Sequence, residues 1–324
     1  MKRTKEGDVM IKAKKLSKGD TIGIISPASA SFHRSDVLRA QEMLESMGFN
    51  VLLGRHVNET KGFFAASEEH RVRDFNDMFY NDAVDAVFVT QGGYGSAQIL
   101  GKIDYEAIRA NPKIFTGFSD ITSIHLAIYR RAGVMTFHGP GMTRFTTEDL
   151  TEYTRKQFFK AISTPEPLGE IELADKRKWL YSIAPGACEG ELVGGNLTLV
   201  CATLGTPYEI DTRGKILFLE EVDSEPWVMD HCLSHLRNAG KLADLAGIVI
   251  GECNNCDPRI FDPGYYSDTD IEDVFNYYFA DLGVPVLYGL PLGHTEDTAT
   301  IPMGARARLD ADEKKLVVLE SGVV

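Results

Sequence analysis

Pro112-Lys113-Ile114-Phe115-Thr116-Gly117-Phe118-Ser119-Asp120-Ile121-Thr122-Ser123-Ile124-His125 changes its period in the middle. Residues up to Gly117 read as a short buried strand. Beyond the turn, Ile121, Ile124, His125, Ile128 and Tyr129 recur at helical spacing on one face. A serine in such a turn stands at a strand's carboxyl end, with its hydroxyl and the next backbone N–H at the helix's positive pole. That placement suits a nucleophile and half an oxyanion hole. The match to a G-x-S-x-G elbow is incomplete, because Gly117-Phe118-Ser119-Asp120-Ile121 lacks the second glycine. A plain helix N-cap is the competing reading.

Outward from this stretch the alternation continues. Thr21–Ser26 reads as a strand ending in Ser26-Pro27-Ala28-Ser29. Ser35–Met47 reads as a helix with Leu38, Met43, Leu44 and Met47 on its apolar side and Gly48 as its stop. Asn50–Leu53, a helix over Glu68–Phe79 and the strand Ala83–Val89 follow. Strands alternating with helices predict an α/β fold whose amino-terminal domain, residues 1–150, is a parallel sheet flanked by helices. Ligands bind such sheets beyond the strands' carboxyl ends. Three turns meet at that rim: Ser26–Ser29, Gln91-Gly92-Gly93-Tyr94-Gly95 and Gly117–Asp120.

The pattern weakens after Thr146, and residues 151–189 read as a helix followed by an interdomain connection. From Gly190 a new apolar series opens. Ile216–Leu219, Ala246–Ile250 and Val286–Gly289 read as strands, Asp230–Ala239 as a helix, and Ala305–Leu309 with Lys315–Glu320 as a hairpin. Residues 190–324 therefore predict a mixed α/β domain with a strand-rich core.

Length and composition bound the function. The chain has 324 residues, 44% of them hydrophobic and 25% charged, as in a globular protein of two domains. Its net charge of −13 argues against nonspecific nucleic-acid binding, which needs a basic footprint. The basic amino terminus has no apolar run for a secretory signal, and no stretch approaches the roughly 20 apolar residues of a membrane span. A cytoplasmic protein is the expectation. Five cysteines at irregular spacing agree with a reducing compartment. Cys253 and Cys256 form one C-x-x-C without a second ligand pair, and read as ordinary thiols.

A serine nucleophile needs a base, and the base an orienting carboxylate. Among the eight histidines, His125 falls on an apolar helix face and reads as a core residue. His70 reads as solvated, and His33 and His56 border turns. His231 and His235 have i, i+4 spacing but no accompanying acidic ligand motif. His138 ends a strand, and His294 sits in the Gly/Pro-rich loop Leu290-Pro291-Leu292-Gly293-His294-Thr295; both remain candidates. For the carboxylate, the strand Leu217-Phe218-Leu219 ends abruptly in Glu220-Glu221, and the residues alone do not choose between the two.

With these residues in view, the chain resembles the LD-carboxypeptidase (murein tetrapeptide carboxypeptidase) family of serine peptidases, which includes microcin C immunity peptidases. The resemblance runs from about Lys15 to Glu320 through GDTIGIISPAS (19–29), VDAVFVTQGGYGSAQIL (84–100), NPKIFTGFSDIT (111–122), TFHGP (136–140), GGNLTLVCATLGTP (194–207), ILFLEEVDSEP (216–226) and VPVLYGLPLGH (284–294). It implies a Ser–Glu–His triad of Ser119, Glu220 and His294, formed across the domain cleft. It implies an oxyanion hole of backbone N–H groups, one from Asp120 and one from the glycine turn, for which Gly93 is chosen. Gly92, Tyr94, Glu221 and Trp179 are substrate-binding candidates; for Trp179 the competing reading is a buried or hinge-packing residue. Gln91 departs from the family's usual arginine in R-G-G-Y-G. The implied activity is metal- and cofactor-independent hydrolysis of the L,D-amide that releases D-alanine from murein tetrapeptides, by a cytoplasmic homodimer. The alternative is hydrolysis of peptidyl or aminoacyl nucleotides, as in microcin immunity.

Overall fold

The computed structural model describes residues 10–146, 150–175, 177–261, 263–266 and 268–324. The first nine residues of the basic amino terminus lie outside them.

The first half alternates as its periods require: β1 (Thr21–Ile25), α1 (Arg34–Ser46), β2 (Asn50–Leu53), α2 (Glu68–Tyr80), β3 (Ala86–Val89), α3 (Ser96–Ile99), α4 (Tyr105–Ala110), β4 (Ile114–Gly117), α5 (Thr122–Ala132) and β5 (Thr136–His138). These five strands are parallel. Their buried side chains divide between two cores at the period of two that a pleated strand dictates. Ile22, Ile24, Phe88 and Ile114 pack with Val37, Ala40 and Leu44 of α1. Ile25, Val87, Val89 and Phe115 pack with Phe75 and Phe79 of α2 and with Ile124 and Ile128 of α5. The sheet is therefore covered on both faces.

Helix α1 turns its buried stripe one residue away from the expected side. Val37, Ala40 and Leu44 are buried, whereas Leu38 is 52% exposed. Leu38 and Val37 lie about 100° apart on the helix, and the branched Val37 takes the inward place.

Residues 151–189 supply α6 (Glu152–Ser163), β6 (Gly169–Glu170), β7 (Tyr181–Ala184) and the start of β8 (Ala187–Asn196). Then come α7 (Leu197–Ala202), β9 (Ile216–Glu220), α8 (Pro226–Asn238), β10 (Gly247–Gly251), α9 (Ile271–Phe279), β11 (Val286–Leu290), β12 (Ile301–Met303), β13 (Arg306–Asp310) and β14 (Lys315–Val318). The second sheet has the order β6-β14-β13-β8-β9-β10-β11-β7. Its central strands β8 to β11 are parallel, and antiparallel strands complete both sides. Strand β12 returns to the first sheet, where it pairs antiparallel with β5. The molecule is thus mixed α/β, and one crossing strand ties the halves together.

Candidate active site

Strand β4 ends at Gly117, and the chain reaches α5 through a single 3-10 turn over Ser119–Ile121. Ser119 has φ +63°. This left-handed conformation is uncommon for a residue with a Cβ and marks local strain at functional turns. The second glycine of the usual elbow is absent, yet the strained serine is present.

Two other turns close over it. A Cβ added to Gly92 would lie 2.8 Å from Ser119 Cβ and 3.2 Å from the Asp120 nitrogen, so the glycine turn rests directly on the serine turn. Ser29 N–H donates to the Gly92 carbonyl at 3.1 Å, and its hydroxyl accepts from Tyr94 N–H at 3.0 Å. The three turns expected at one rim are therefore joined. Gly93 has φ +98°, and a Cβ there would meet Ser29 Oγ at 2.4 Å. Among the described residues, no acceptor takes the backbone N–H of Gly93 or Asp120. The Asp120 carboxylate instead turns inward, accepting from Ser96 N–H at 2.8 Å, and burial raises its pKa.

Arg71, which the sequence reading passed over, braces these turns from beneath. Its buried guanidinium donates to the Pro27 and Gly95 carbonyls at 2.8 and 2.7 Å and to Gln98 Oε1 at 2.6 Å. One group thereby ties the first turn to the second. The only available signal was an arginine among the inward positions of α2.

The second sheet brings the other candidates to the same place. Glu220 ends β9 and is fully buried; its Oε2 lies 2.7 Å from His294 Nδ1. His294 follows β11 by four residues, in a loop that Arg144 grips by donating to the Thr295 carbonyl at 2.9 Å. Gly293 has φ +79°, and a Cβ there would sit 2.1 Å from Glu220 Oε2, so only glycine permits this approach. The His294 ring lies 4.7 Å from the ring of Phe118, the residue before Ser119. Glu220 and His294 from the second sheet therefore meet next to Phe118, the residue that precedes Ser119 at the end of β4.

The electrostatics follow from this packing. Burial favours the neutral carboxyl of Glu220, but the His138 and His294 imidazoles outweigh it and bring its pKa down to about 2. Burial likewise favours neutral His294, yet its hydrogen bond to Glu220 wins and raises its pKa. His125 is a core residue, as its helix face implied. Its Nε2 meets the Gly117 carbonyl and its Nδ1 meets Thr136 Oγ1, each at 2.8 Å.

The remaining candidates separate. Glu221 points both oxygens into the fold, accepting from Asn196 Nδ2 at 2.9 Å, Val222 N–H at 3.0 Å, and Thr198 N–H and Oγ1 at 2.9 and 2.6 Å. It secures the start of α7 and leaves a substrate no free carboxylate. Tyr94 is exposed beside Phe63. Trp179 is not buried. It is 68% exposed and stacks on Tyr181 at 5.1 Å. His70 is half-buried rather than free in solvent, stacked on His56 at 3.9 Å with its Nδ1 2.8 Å from Glu59. His56, Glu59 and His70 are the one group among the described residues whose ligand atoms gather within 4.8 Å, as a metal would require. Each Nδ1 there already faces a carboxylate, that of His56 meeting Asp74 at 2.7 Å. No helix among the described residues is long and apolar enough to cross a membrane.

Residues 22–139 match the LD-carboxypeptidase N-terminal domain and residues 189–309 the LD-carboxypeptidase C-terminal domain. The chain belongs to the LD-carboxypeptidase family. A probable murein peptide carboxypeptidase of Bacillus subtilis is 40% identical over 96% of this chain and 95% of its own. The microcin C7 self-immunity protein MccF of Escherichia coli is 28% identical, over 94% and 93% of the two chains. The crystal structure of muramoyltetrapeptide carboxypeptidase from Oxalobacter formigenes superposes with a TM-score of 0.79 at 30% identity, covering 93% of this chain and 99% of that one. Membership makes this a serine-type peptidase and matches the mixed α/β architecture.

Proposed function

We propose that this protein is a metal-independent serine carboxypeptidase that cuts the amide between an L-configured centre and a terminal D-alanine in murein tetrapeptides. The observation that carries this is the Glu220–His294 pair, at 2.7 Å, whose imidazole lies 4.7 Å from the ring of Phe118, the neighbour of a serine with φ +63°. With Nδ1 engaged by the carboxylate, His294 has Nε2 free to take the Ser119 proton as the hydroxyl attacks, and later to protonate the leaving D-alanine amine. Glu220 holds the tautomer and balances the imidazolium. The N–H groups of Gly93 and Asp120 receive the developing oxyanion. Such a substrate arises when wall peptides are recycled, and we assign the enzyme to that process in the cytoplasm, acting as a homodimer.

Incubation of L-Ala-γ-D-Glu-diaminopimelate-D-Ala with the wild type and with Ser119→Ala, followed by mass spectrometry, tests the reading. Loss of one alanine by the wild type alone is the expected result. An intact tetrapeptide in both samples rejects it.

The exposed Trp179 supports a second reading, because an indole stacked on Tyr181 at a strand's edge can also receive a nucleobase. Under that reading the enzyme hydrolyses aminoacyl or peptidyl nucleotides. Trp179→Ala would then impair cleavage of an aminoacyl sulfamoyl adenylate and spare the tetrapeptide.

A further inference from the structure

His138 occupies the last position of β5, where its backbone is fixed on both sides. It pairs in register with Gly117 of β4 and with Ile301 of β12. Its ring is wholly buried between Phe118 at 6.2 Å and Phe218 at 5.4 Å, with His125 at 6.3 Å. Neither ring nitrogen has a hydrogen-bond partner among the described residues, and neither has Glu220 Oε1. These groups face one another: His138 Nε2 lies 3.7 Å from Glu220 Oε1. Glu220 Oε2 is the oxygen already committed to His294.

A separation of 3.7 Å suits an ion pair but is too long for a hydrogen bond. A buried carboxylate oxygen without a donor is costly, and a movement of about 1 Å would supply one. Hydrogen bonds of this kind are often long in a resting enzyme and tighten as the reaction proceeds.

We propose that His138 is a positioning residue for Glu220: its Nε2–H serves Oε1, so the carboxylate that orients His294 is itself bracketed by two imidazoles. This rests on the reading of Ser119, Glu220 and His294 as the catalytic group. When His294 accepts the serine proton, the carboxylate must balance the new charge without taking the proton itself. A second donor lowers its appetite for that proton. The other ionisable groups around the pair are Glu221 just beyond the end of β9, Cys253 beyond β10, His125 on α5 and Arg144 facing His294.

Two full-length variants test the role. His138→Phe keeps a ring among rings but removes the donor. His138→Gln places an amide N–H near the position of Nε2. The Phe variant should lose about 10–100-fold in kcat, as expected for one hydrogen bond to a charged group, with KM unchanged. The acid limb of its pH–rate profile should move to higher pH, because an unbalanced carboxylate makes the Glu220–His294 pair hold its proton more tightly. His138→Gln should restore most of both. A Phe variant with wild-type rate and pH profile overturns the proposal, as does a Gln variant as impaired as Phe when both melt like the wild type.

One measurement needs neither a variant nor a substrate. Nitrogen-15 NMR of the wild type should find a proton on His138 Nε2 near neutral pH, and a bare Nε2 would overturn the proposal. If the wild type cleaves no tetrapeptide, the substrate assignment fails while this tautomer still decides the His138–Glu220 contact.

Discussion

Glu220 Oε2 and His294 Nδ1 lie 2.7 Å apart, although 74 residues separate them in the chain and the carboxylate is entirely buried. This contact fixes the imidazole's tautomer, because Nδ1 must carry the proton it donates. It also raises the pKa of His294.

Glu220→Gln should therefore act in two directions. Turnover should fall by about 10⁴-fold, since an amide can stabilise the wrong tautomer. The acid limb of the residual activity should shift to lower pH, because the charge that raised the His294 pKa is gone. The limb moves down here and up in His138→Phe, so pH profiles of kcat/KM distinguish the two. A limb that stays in place would contradict the assigned pair.

Ser119→Ala should abolish hydrolysis, with a loss of about 10⁴–10⁶-fold, while the melting temperature stays close to the wild type. Alanine accepts φ +63° about as poorly as serine does, so the strain is unchanged. Single-turnover assays with mass detection check this. Undiminished turnover in a clean preparation would remove the serine from the mechanism.

Gly93→Ala should cost both stability and rate. The backbone at φ +98° disfavours any side chain, and the new methyl would meet Ser29 Oγ at 2.4 Å. Displacing this N–H should lower kcat by about 10²–10³-fold, the usual penalty for losing one oxyanion donor. Kinetics alongside thermal melts check both effects. A destabilised variant with normal kcat would relocate the donor.

His125 should make the protein acid-sensitive. Burial, with a smaller contribution from the neighbouring His138 ring, holds its pKa down to about 3, against 6.5 when free. Between those values the unfolded chain binds a proton that the folded chain refuses. Stability from this residue is thus intact above pH 6.5 and declines as pH falls, by up to about 1.4 kcal/mol per unit. Urea unfolding at pH 7 and pH 5 should show a smaller difference in His125→Gln, which keeps a donor for the Gly117 carbonyl. Equal differences would locate the acid sensitivity elsewhere.

Local periodicity was enough to place β4, the turn at Ser119 and α5, because side-chain spacing along one segment reflects which face that segment buries. It also put the three rim turns on one edge, since a parallel sheet aligns its strands' carboxyl ends. The choice between Glu220 and Glu221 was different. Spacing treats the two as equivalent and the family resemblance points to Glu220; the packing supplies the physical reason, since Glu220 at the end of β9 meets His294 while Glu221 just beyond it is consumed by Asn196, Thr198 and Val222. The same applies to Arg71 beneath the turns, the exposure of Trp179, the inward phase of α1 and the position of His138 opposite Glu220. Each depends on partners distant in the chain, and spacing along one segment carries no information about what packs against it.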